Sequence, residues 1–530
     1  MQRFEFGDLS LYVFGGWNEI GGNQILLSTK AGSLLLDFGK SFGRWKRYFT
    51  EFINPRSGFG VRDLLFLGLL PPVRGLYRDT SEDTLIATEL DRLRLSKSDL
   101  DGERIAGLLL SHAHLDHTGA IAYLRNDLPI IATGTTAAIA KAMQDTGQTN
   151  LESEITYLNP RTLNDEGILS SKGNGYLRRP FKLIGGTLPT QFANRTPSKT
   201  KPLVGAPWEQ FGGKLGSYTI EALPVDHSVP GAVAFCVGTE SGSVVYTGDL
   251  RRHGRWGENT EETVRKLALR EITLLIVEGT RLGRSSKTYT EAQVKEALHA
   301  LIRQHSDAPI IVDFAPRNLE RMLSCVEIGR EVGRKLVITP KDAHMLVGLS
   351  EAEPFWRTVL EEVVVLKEKK ARRAAWEEQL WEEAVAQSIT IEEIIRAPYA
   401  FLLAFSFFEL NRLIDLRIAE EASGVPSREG IYIFSNSYWA DDEQILDLEV
   451  LLNWLNVLGF KLHPPELAQR PRDASLVDNP YHTSGHAPQQ DLVEIVRQIR
   501  PRAILPIHTE AAGLWHELLR GEPIEVLQPK

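Results

Sequence analysis

The stretch Leu108–Ala120, LLLSHAHLDHTGA, concentrates titratable side chains directly after an apolar run. Three histidines and one aspartate fall within six residues: His112, His114, Asp116 and His117. Residues two apart in an extended strand point to the same side, so His112 and His114 share a direction. Imidazole nitrogens and carboxylate oxygens are ligands that zinc favours. We therefore interpret this stretch as a metal-binding loop that follows a strand.

Four ligands in so short a segment are more than one tetrahedral ion needs when water also binds. They favour two ions, about 3.5–4 Å apart, that share ligands. Further ligands are then expected elsewhere, and three candidates end or follow apolar, strand-like runs: His227 in PVDHSVPGA, Asp249 in VVYTGD and His508 in AILPIHTE. Asp37, at the end of GSLLLD, is expected to orient a ligand without binding metal itself.

Composition limits the class of protein. The chain has 530 residues, 42% of them hydrophobic and 24% charged, which predicts a globular protein of two or more domains. Its apolar runs are shorter than a membrane span, and the opening MQRFEFGD lacks a signal-peptide pattern, so we expect no membrane and a cytoplasmic location. The net charge of −9 argues against a generally basic nucleic-acid binder.

The rhythm of predicted elements changes along the chain. Residues up to about 285 read as strands with interspersed helices, a layered α/β arrangement. Later segments alternate between helix and strand, beginning with EAQVKEALHALIRQH and PIIVDF, which predicts a parallel sheet. We expect a first domain over 1–285, an inserted domain over 286–474 and a return to the first domain over 475–530.

Two basic segments, near 41–80 and 145–205, look like insertions into the first domain. The first interleaves cationic and aromatic side chains in SFGRWKRYFTEFINPRSGFGVR. The second carries eight basic and two acidic residues between Arg161 and Lys201, a net charge of +6. Phosphates attract cations and bases stack on aromatic rings, so both segments suit single-stranded nucleic acid. Packing onto the domain or onto a second subunit is an equally open alternative.

The strand ending at Asp37, the histidine loop, His227 and Asp249 resemble the metallo-β-lactamase superfamily, and the glycine-rich opening GGWNEIGGN resembles the start of its J-type ribonucleases. LLIVEGT with Glu278, HTSGHA with His486 and LPIHTE with His508 are similar to three motifs of its β-CASP subgroup, which includes the J-type ribonucleases. FAPRNLERM resembles a segment of their inserted domain. The resemblance implies an αββα sandwich with an inserted α/β domain built on a parallel sheet. J-type ribonucleases generally continue into a further C-terminal domain; because 22 residues follow His508 here, we expect this chain to be without it.

The resemblance also implies residue roles. One zinc ion would be held by His112, His114, His227 and Asp249, and the other by Asp116, His117, Asp249 and His508, with manganese as a substitute. His486 would approach the scissile phosphate, Glu278 would orient it, and Asp116 would accept a proton. A histidine in the third motif is associated with RNA in this family. We therefore expect a ribonuclease that cleaves single-stranded RNA to 5′-phosphates, as a 5′-to-3′ exonuclease with endonuclease activity open.

Five further residues are predicted to bind substrate: Arg317, Ser435, Ser484, Arg178 and Arg179. For the first three, ordinary turn and helix-start chemistry is the alternative. Two other functions stay open: a DNA or dual-specificity nuclease, and a small-molecule hydrolase acting on a lactone, thioester or β-lactam. A homodimer also stays open.

Overall fold

A computed structural model describes residues 1–78, 100–171, 173, 175–284, 287–438, 442–469 and 477–530. Residues 79 and 80, the end of the first basic segment, lie outside the described residues. The chain forms two compact units. The first consists of Met1–Arg252, Trp256–Arg284 and His486–Lys530, and the second of His253–Arg255 and Ser285–Gly485.

The chain returns to the first unit at His486, later than the predicted return at residue 475. The segment before His486 is tied to the second unit by side-chain hydrogen bonds. Asn479 Nδ2 donates to the carbonyl of Phe434 at 2.9 Å, and Thr483 Oγ1 donates to the carbonyl of Tyr289 at 2.5 Å. Residues 477–485 therefore belong to the second unit, which corrects the sequence-based boundary.

Two sheets form the centre of the first unit. Among the described residues, the first sheet has eight strands, in the order Gln2–Phe6, Leu9–Gly15, Gln24–Thr29, Gly32–Phe38, Ile105–Leu109, Ile130–Ala132, Phe181–Leu183 and Glu209–Gln210. Over the same residues the second has seven, in the order Lys214–Leu215, Tyr218–Pro224, Val233–Thr239, Gly242–Tyr246, Ile272–Glu278, Ala503–Ile507 and Glu525–Val526.

Side chains of both sheets meet in one apolar core. Phe4 and Leu109 of the first sheet pack in it with Phe235 and Leu274 of the second, and all four are fully buried. Helices cover the outer faces: Gly134–Thr146 on the first sheet, and Gly257–Ala268 and Gln489–Ile499 on the second. The layers run helix, sheet, sheet, helix, which is the predicted αββα sandwich.

The first unit also contains shorter elements. Its other described α-helices are Phe42–Trp45, Arg62–Phe66, Leu115–Thr118, Thr190–Asn194 and Trp515–Leu518. The second basic segment folds into the short strands Tyr157–Leu158, Arg161–Leu163, Leu169–Ser171, Tyr176–Arg178 and Leu203–Val204.

The second unit is built on a parallel sheet, as the alternation of helices and strands predicted. In the portion described, its strands run Gln387–Ile389, Val364–Leu366, Lys335–Ile338, Phe401–Leu403, Ile310–Asp313, Gly430–Phe434 and Phe460–His463. The helices are Glu291–Gln304, Leu319–Val332, Pro340–Ala352, Phe355–Glu362, Ala375–Glu382, Ile391–Arg396, Asn411–Ser423, Asp442–Leu458 and Glu466–Gln469.

Capping boxes explain where three of these helices begin. In each, the threonine hydroxyl before the helix accepts a hydrogen bond from the backbone N–H three residues later, and the side chain of that later residue accepts one from the backbone N–H of the threonine. The threonines are Thr290, Thr339 and Thr390.

Across the described residues, no helix combines the length and the apolarity needed to cross a membrane.

Candidate metal centre

Strand ends place the ligands at one edge of each sheet. Gly32–Phe38 and Ile105–Leu109 pair in parallel, so Asp37 and the histidine loop emerge at the same edge. In the second sheet, Gly242–Tyr246, Ile272–Glu278 and Ala503–Ile507 are also parallel neighbours. The chain leaves these three strands through Asp249, Glu278 and His508. All of these residues belong to the first unit.

The predicted ligands fall into two sets, and within each set the ligand atoms lie within 4.8 Å of one another. The sets are His112, His114, His227 and Asp249, and Asp116, His117, Asp249 and His508. In the first, His112 Nε2 lies 3.2 Å from His114 Nδ1 and 3.5 Å from Asp249 Oδ2. In the second, His508 Nε2 lies 3.1 Å from Asp116 Oδ2. Tetrahedral ligands held about 2.1 Å from one ion lie roughly 3.4 Å apart, which matches these spacings.

Asp249 belongs to both sets through the same oxygen. Its Oδ2 lies 3.8 Å from His227 Nε2, 3.1 Å from His117 Nε2 and 3.8 Å from His508 Nε2. Asp249 and His117 are almost completely buried, with side-chain exposures of 1% and 0%. One carboxylate oxygen is therefore surrounded by histidine nitrogens from several segments of the chain.

Two buried atoms of the ligand sets make no hydrogen bond of good geometry, although His117 Nε2 lies 3.1 Å from Asp249 Oδ2. His117 Nε2 and Asp249 Oδ1 have no hydrogen-bond partner within the part of the chain that the structure describes. A buried polar atom left without a partner costs about 1–3 kcal/mol. Nitrogen and carboxylate donors arranged around such orphaned atoms fit a divalent cation, so this is a divalent metal site.

Asp37 organises the loop from beneath the ligands. Its Oδ2 accepts from His117 Nδ1 at 2.6 Å, from Tyr246 OH at 2.5 Å and from Ser111 Oγ at 2.6 Å. Its Oδ1 accepts from Ser111 N at 2.7 Å. Because an ionised carboxylate only accepts, Nδ1 of His117 carries a proton, and when the ring is neutral the lone pair of Nε2 faces the other ligands. This is the orienting position expected for Asp37.

Burial and charge hold His112 and Asp249 in the forms that bind metal. Burial lowers the pKa of His112 well below its usual value, and neighbouring His117 adds to the effect. Burial alone would raise the pKa of Asp249, but His117 and His508 outweigh it and hold that pKa well below the usual range. A neutral imidazole and an ionised carboxylate are the species that coordinate a cation.

Glycines allow the opening loop to pack against Asp116. A Cβ on Gly39 would lie 1.6 Å from the Asp116 carbonyl oxygen, and one on Gly21 would lie 2.8 Å from Asp116 Oδ2. Gly21 also has a φ of +74°, a conformation that side chains rarely adopt. The glycine-rich opening therefore lets the backbone reach a ligand-bearing turn that no larger residue could approach.

A second acid–base cluster borders the ligands. Glu278 is fully buried, and its Oε1 accepts from Leu250 N at 3.0 Å. Its Oε2 accepts from Thr280 N at 3.1 Å and from Thr280 Oγ1 at 2.7 Å. His486 Nδ1 lies 3.2 Å from Oε1 and 3.3 Å from Oε2. These contacts occupy the oxygens of Glu278 and place this carboxylate beside His486. The ligand atoms of Asp249, Glu278, His486 and His508 also lie within 4.8 Å of one another.

The environment of His486 favours its protonated form. Burial lowers the pKa of His486, but the carboxylates of Glu278 and Asp249 outweigh burial, and the pKa is raised above its usual value.

Sequence reasoning did not single out Thr280, Tyr246 or Ser111. The signal available for Thr280 was its place in VEGT, two residues after Glu278.

The predicted substrate-binding residues of the second unit have mixed environments. Arg317 is half-buried and lines a cavity of about 290 Å³ together with aromatic side chains such as Phe407. Ser435 is buried; its hydroxyl donates to the Tyr481 carbonyl at 2.6 Å. The carbonyl of Ser484 lies 2.9 Å from His253 Nε2.

Arg178 and Arg179 do not offer free guanidinium groups for a substrate. Arg179 is fully buried and donates to the carbonyls of Leu124 and Ala122 at 3.1 and 3.0 Å. Arg178, also buried, donates to Asn194 Oδ1 at 2.9 Å. These contacts argue against the substrate-binding role expected for this pair: Arg179 joins the second basic segment to Ala122 and Leu124, and Arg178 ties parts of that segment to each other.

The first basic segment presents apolar side chains to solvent. Phe52 and Phe66 are 87% and 77% exposed, whereas Trp45 and Phe49 pack against the core. Its cations are partly paired, as in the Arg56–Asp63 contact at 2.7 Å. The segment therefore combines both features that the sequence left open, packing onto the domain and exposed stacking surfaces.

Family models match both parts of this site. The model described as the metallo-beta-lactamase superfamily matches residues 83–307, and that of the Zn-dependent metallo-hydrolase RNA specificity domain matches 477–517. The chain thus contains a metallo-β-lactamase domain together with a metallo-hydrolase RNA specificity domain, and it has the metallo-β-lactamase fold. The first match contains the histidine loop, His227, Asp249 and Glu278, and the second contains His486 and His508.

Within the superfamily, the chain resembles ribonuclease J along nearly its whole length. It is 22% identical to ribonuclease J of Pyrococcus abyssi over 523 residues, covering 97% of this chain and 92% of that protein. It is 21% identical to ribonuclease J of Helicobacter pylori strain B128, covering 94% of this chain but 55% of that protein. The chain thus spans about half the length of the Helicobacter relative. These matches confirm the resemblance to the β-CASP, J-type group.

A solved structure shares the fold. A protein of unknown function from Enterococcus faecalis V583 superposes with a TM-score of 0.63 at 20% identity, covering 98% of both chains. This similarity supports the fold of the chain.

Proposed function

We propose that the protein is a ribonuclease that hydrolyses the phosphodiester bonds of single-stranded RNA with two zinc ions. The observation that carries the proposal is the pair of ligand sets sharing Asp249 Oδ2, bordered by the His486–Glu278 pair. The relatives that match the chain along its length are named ribonuclease J. Manganese is the expected substitute for zinc.

Two ions fit the donor set better than one. The set with His112 supplies three imidazole nitrogens and one carboxylate, and the set with Asp116 supplies two imidazole nitrogens and two carboxylates. The two sets share Asp249 Oδ2. Bound there, divalent ions would lower the pKa of a water molecule and withdraw charge from the phosphate oxygens. The remaining steps fall to side chains of the chain itself.

Exposure separates the residues that act on substrate from those that only hold the site together. The side chains of Asp116 and His486 are 21% and 16% exposed, whereas those of His117, Asp249 and Glu278 are at most 1% exposed. Asp116 is placed to accept the proton of the attacking water. His486, held in its protonated form by Glu278, is placed to give a proton to the leaving 3′-oxygen. The bond between phosphorus and that oxygen breaks, so the product carries a 5′-phosphate.

RNA is favoured over the alternatives for specific reasons. The match to an RNA-specificity domain covers His486 and His508, and the third-motif histidine is associated with RNA in the family. A small-molecule hydrolase would need the ligands but neither the His486–Glu278 pair nor the second unit. A 5′-to-3′ exonuclease is the form of activity that the resemblance suggests. A cytoplasmic location follows from the sequence pattern, and a homodimer stays open.

The test compares substrates with one protein preparation. Purified protein with zinc is given single-stranded RNA with a labelled 5′-monophosphate, matched DNA, and nitrocefin or a lactone, with Asp116→Ala as the control. We expect RNA cleavage alone, abolished in Asp116→Ala. Labelled mononucleotide appearing first indicates 5′-to-3′ exonuclease action, and a ladder of internal fragments indicates an endonuclease. Intact RNA with DNA or lactone consumed would overturn the proposal.

A further inference from the structure

We infer that Thr280 is a positioning residue whose single hydroxyl fixes the rings of both His508 and His486. This inference rests on the proposed function, because it assigns one ring to metal binding and the other to proton transfer. Thr280 lies two residues after the strand end at Glu278 and is 2% exposed.

The hydroxyl of Thr280 stands between three functional groups. Its Oγ1 donates to Glu278 Oε2 at 2.7 Å. The same oxygen lies 2.8 Å from His508 Nδ1 and 3.1 Å from His486 Nδ1. A ligand of the metal site and the proposed acid therefore touch one atom.

Counting protons gives the direction of each bond. A threonine hydroxyl has one proton to donate and two lone pairs to accept with. Because the ionised carboxylate of Glu278 only accepts, the hydroxyl proton goes to it. Both lone pairs then accept, one from the Nδ1–H of His508 and one from the Nδ1–H of His486. Nδ1 of His486 also lies 3.2 Å from Glu278 Oε1, so Thr280 and Glu278 hold this ring together.

The consequence for His508 concerns the opposite ring nitrogen. With its proton on Nδ1, neutral His508 presents the lone pair of Nε2, the atom 3.1 Å from Asp116 Oδ2. Hydrogen bonds that fix the tautomer and the orientation of a metal-binding histidine typically change metal affinity 10- to 100-fold. Thr280 would thereby serve metal retention and proton donation together, without touching metal or substrate.

A valine at this position tests the hydroxyl alone. Thr280→Val keeps the β-branched shape and the backbone N–H that Glu278 accepts, and it removes only Oγ1. Thr280→Ser keeps the hydroxyl. Thr263→Val is the matched control, because this buried threonine donates only to the Pro224 carbonyl, at 2.6 Å, on a helix of the same unit.

Two quantities are measured for each variant: the zinc retained during dialysis against a graded chelator, and kcat on single-stranded RNA. For Thr280→Val we expect zinc affinity to fall 10- to 100-fold and kcat to fall at least tenfold. Thr280→Ser should restore both to within a few fold of wild type, and Thr263→Val should change neither. His486→Ala should lower kcat but retain zinc. This variant therefore separates the effect of Thr280 on His486 from its effect on His508.

Normal zinc retention in Thr280→Val would overturn the inference, and so would a Thr280→Ser protein as impaired as Thr280→Val. If wild type failed to cleave RNA, the proposed function would be wrong. Zinc retention would still decide whether Thr280 positions His508.

Discussion

At the scale of single residues, burial separates the side chains that orient others from those that substrate can reach. The fully buried carboxylate of Asp37 fixes the ring of His117, and that of Glu278 fixes the ring of His486, while Asp116 and His486 keep contact with solvent. A buried anion next to an imidazole holds the ring in one orientation and one protonation form. Substrate then meets groups whose geometry is already set.

The first prediction concerns His486. Replacing it with alanine removes the proton donor but none of the ligands, so kcat should fall by about 10²–10⁴-fold while the zinc content stays at the wild-type level. Steady-state kinetics and metal analysis of the same preparation check both values. A His486→Ala protein with the wild-type rate would remove the role proposed for this residue.

The second prediction concerns the close approach at Gly39. A Cβ there would lie 1.6 Å from the Asp116 carbonyl, so Gly39→Ala should displace the turn that carries Asp116 and His117. We expect loss of RNA cleavage and weakened zinc binding. Gly43→Ala is the control, since a Cβ on Gly43 meets nothing within 4 Å. Equal zinc content in the two variants would contradict this account.

Sequence reasoning located the ligands better than their supports. Histidines and aspartates at the ends of apolar runs carry a local signal, so the ligand candidates could be named from spacing and pattern. Thr280, by contrast, contacts His508 across 228 residues, and Tyr246 contacts Asp37 across 209. An ordinary hydroxyl gains its role only from the fold. The contacts of Arg178 and Arg179 were not foreseen for the same reason, because nothing local shows that carbonyl oxygens surround a guanidinium.

At the scale of elements, the carboxyl ends of parallel strands organise both units. In the first they deliver Asp37, Glu278 and His508 to the metal site. In the second, the strand Ile310–Asp313 ends on a buried carboxylate that accepts from Tyr432 OH at 2.7 Å and Asn436 Nδ2 at 2.6 Å. Neighbouring strand ends are thereby tied together by one side chain.

The third prediction follows from the pKa of Asp313. Burial raises it to about 7, although the bonds from Tyr432 and Asn436 oppose the shift. An unfolded aspartate ionises near pH ~3.9, so between about pH 4 and 7 the folded chain holds a proton that the unfolded chain has lost. The free energy of unfolding should therefore fall as pH rises through this window, by up to about 1.4 kcal/mol per pH unit.

Asp313→Asn tests this dependence. Burial also raises the pKa of Asp342 to about 7, so wild type has two contributions of the same sign and the variant keeps one. Urea unfolding of the second unit, followed at pH 5, 6 and 7, should show a shallower loss of stability with pH in Asp313→Asn. An unchanged dependence would show that Asp313 does not hold the proton.

The boundary between units shows where element-level prediction ends. The parallel sheet of the second unit was predictable, because its helices and strands alternate in the sequence. The return point was placed eleven residues early, at 475 instead of His486. Asn479 and Thr483 bond to Phe434 and Tyr289, and such long-range bonds leave no trace in local pattern.

At the scale of the whole molecule, the metal-binding residues lie in a chain that resembles ribonuclease J along nearly its whole length. Six of the seven ligand candidates lie within the superfamily match and the seventh, His508, within the RNA-specificity match. The ligands come from both sheets of the sandwich, so the centre exists only when the first unit is folded. Metal binding should accordingly stabilise that unit.

The most direct test of the central claim is a zinc titration of metal-free protein with RNA cleavage as the readout. Protein stripped by chelator is given zero, one, two or three equivalents of zinc, and the initial rate on 5′-labelled single-stranded RNA is measured at each. We expect no cleavage without zinc and a maximal rate at two equivalents. Cleavage by the stripped protein, or a maximum at one equivalent, would contradict a two-metal ribonuclease.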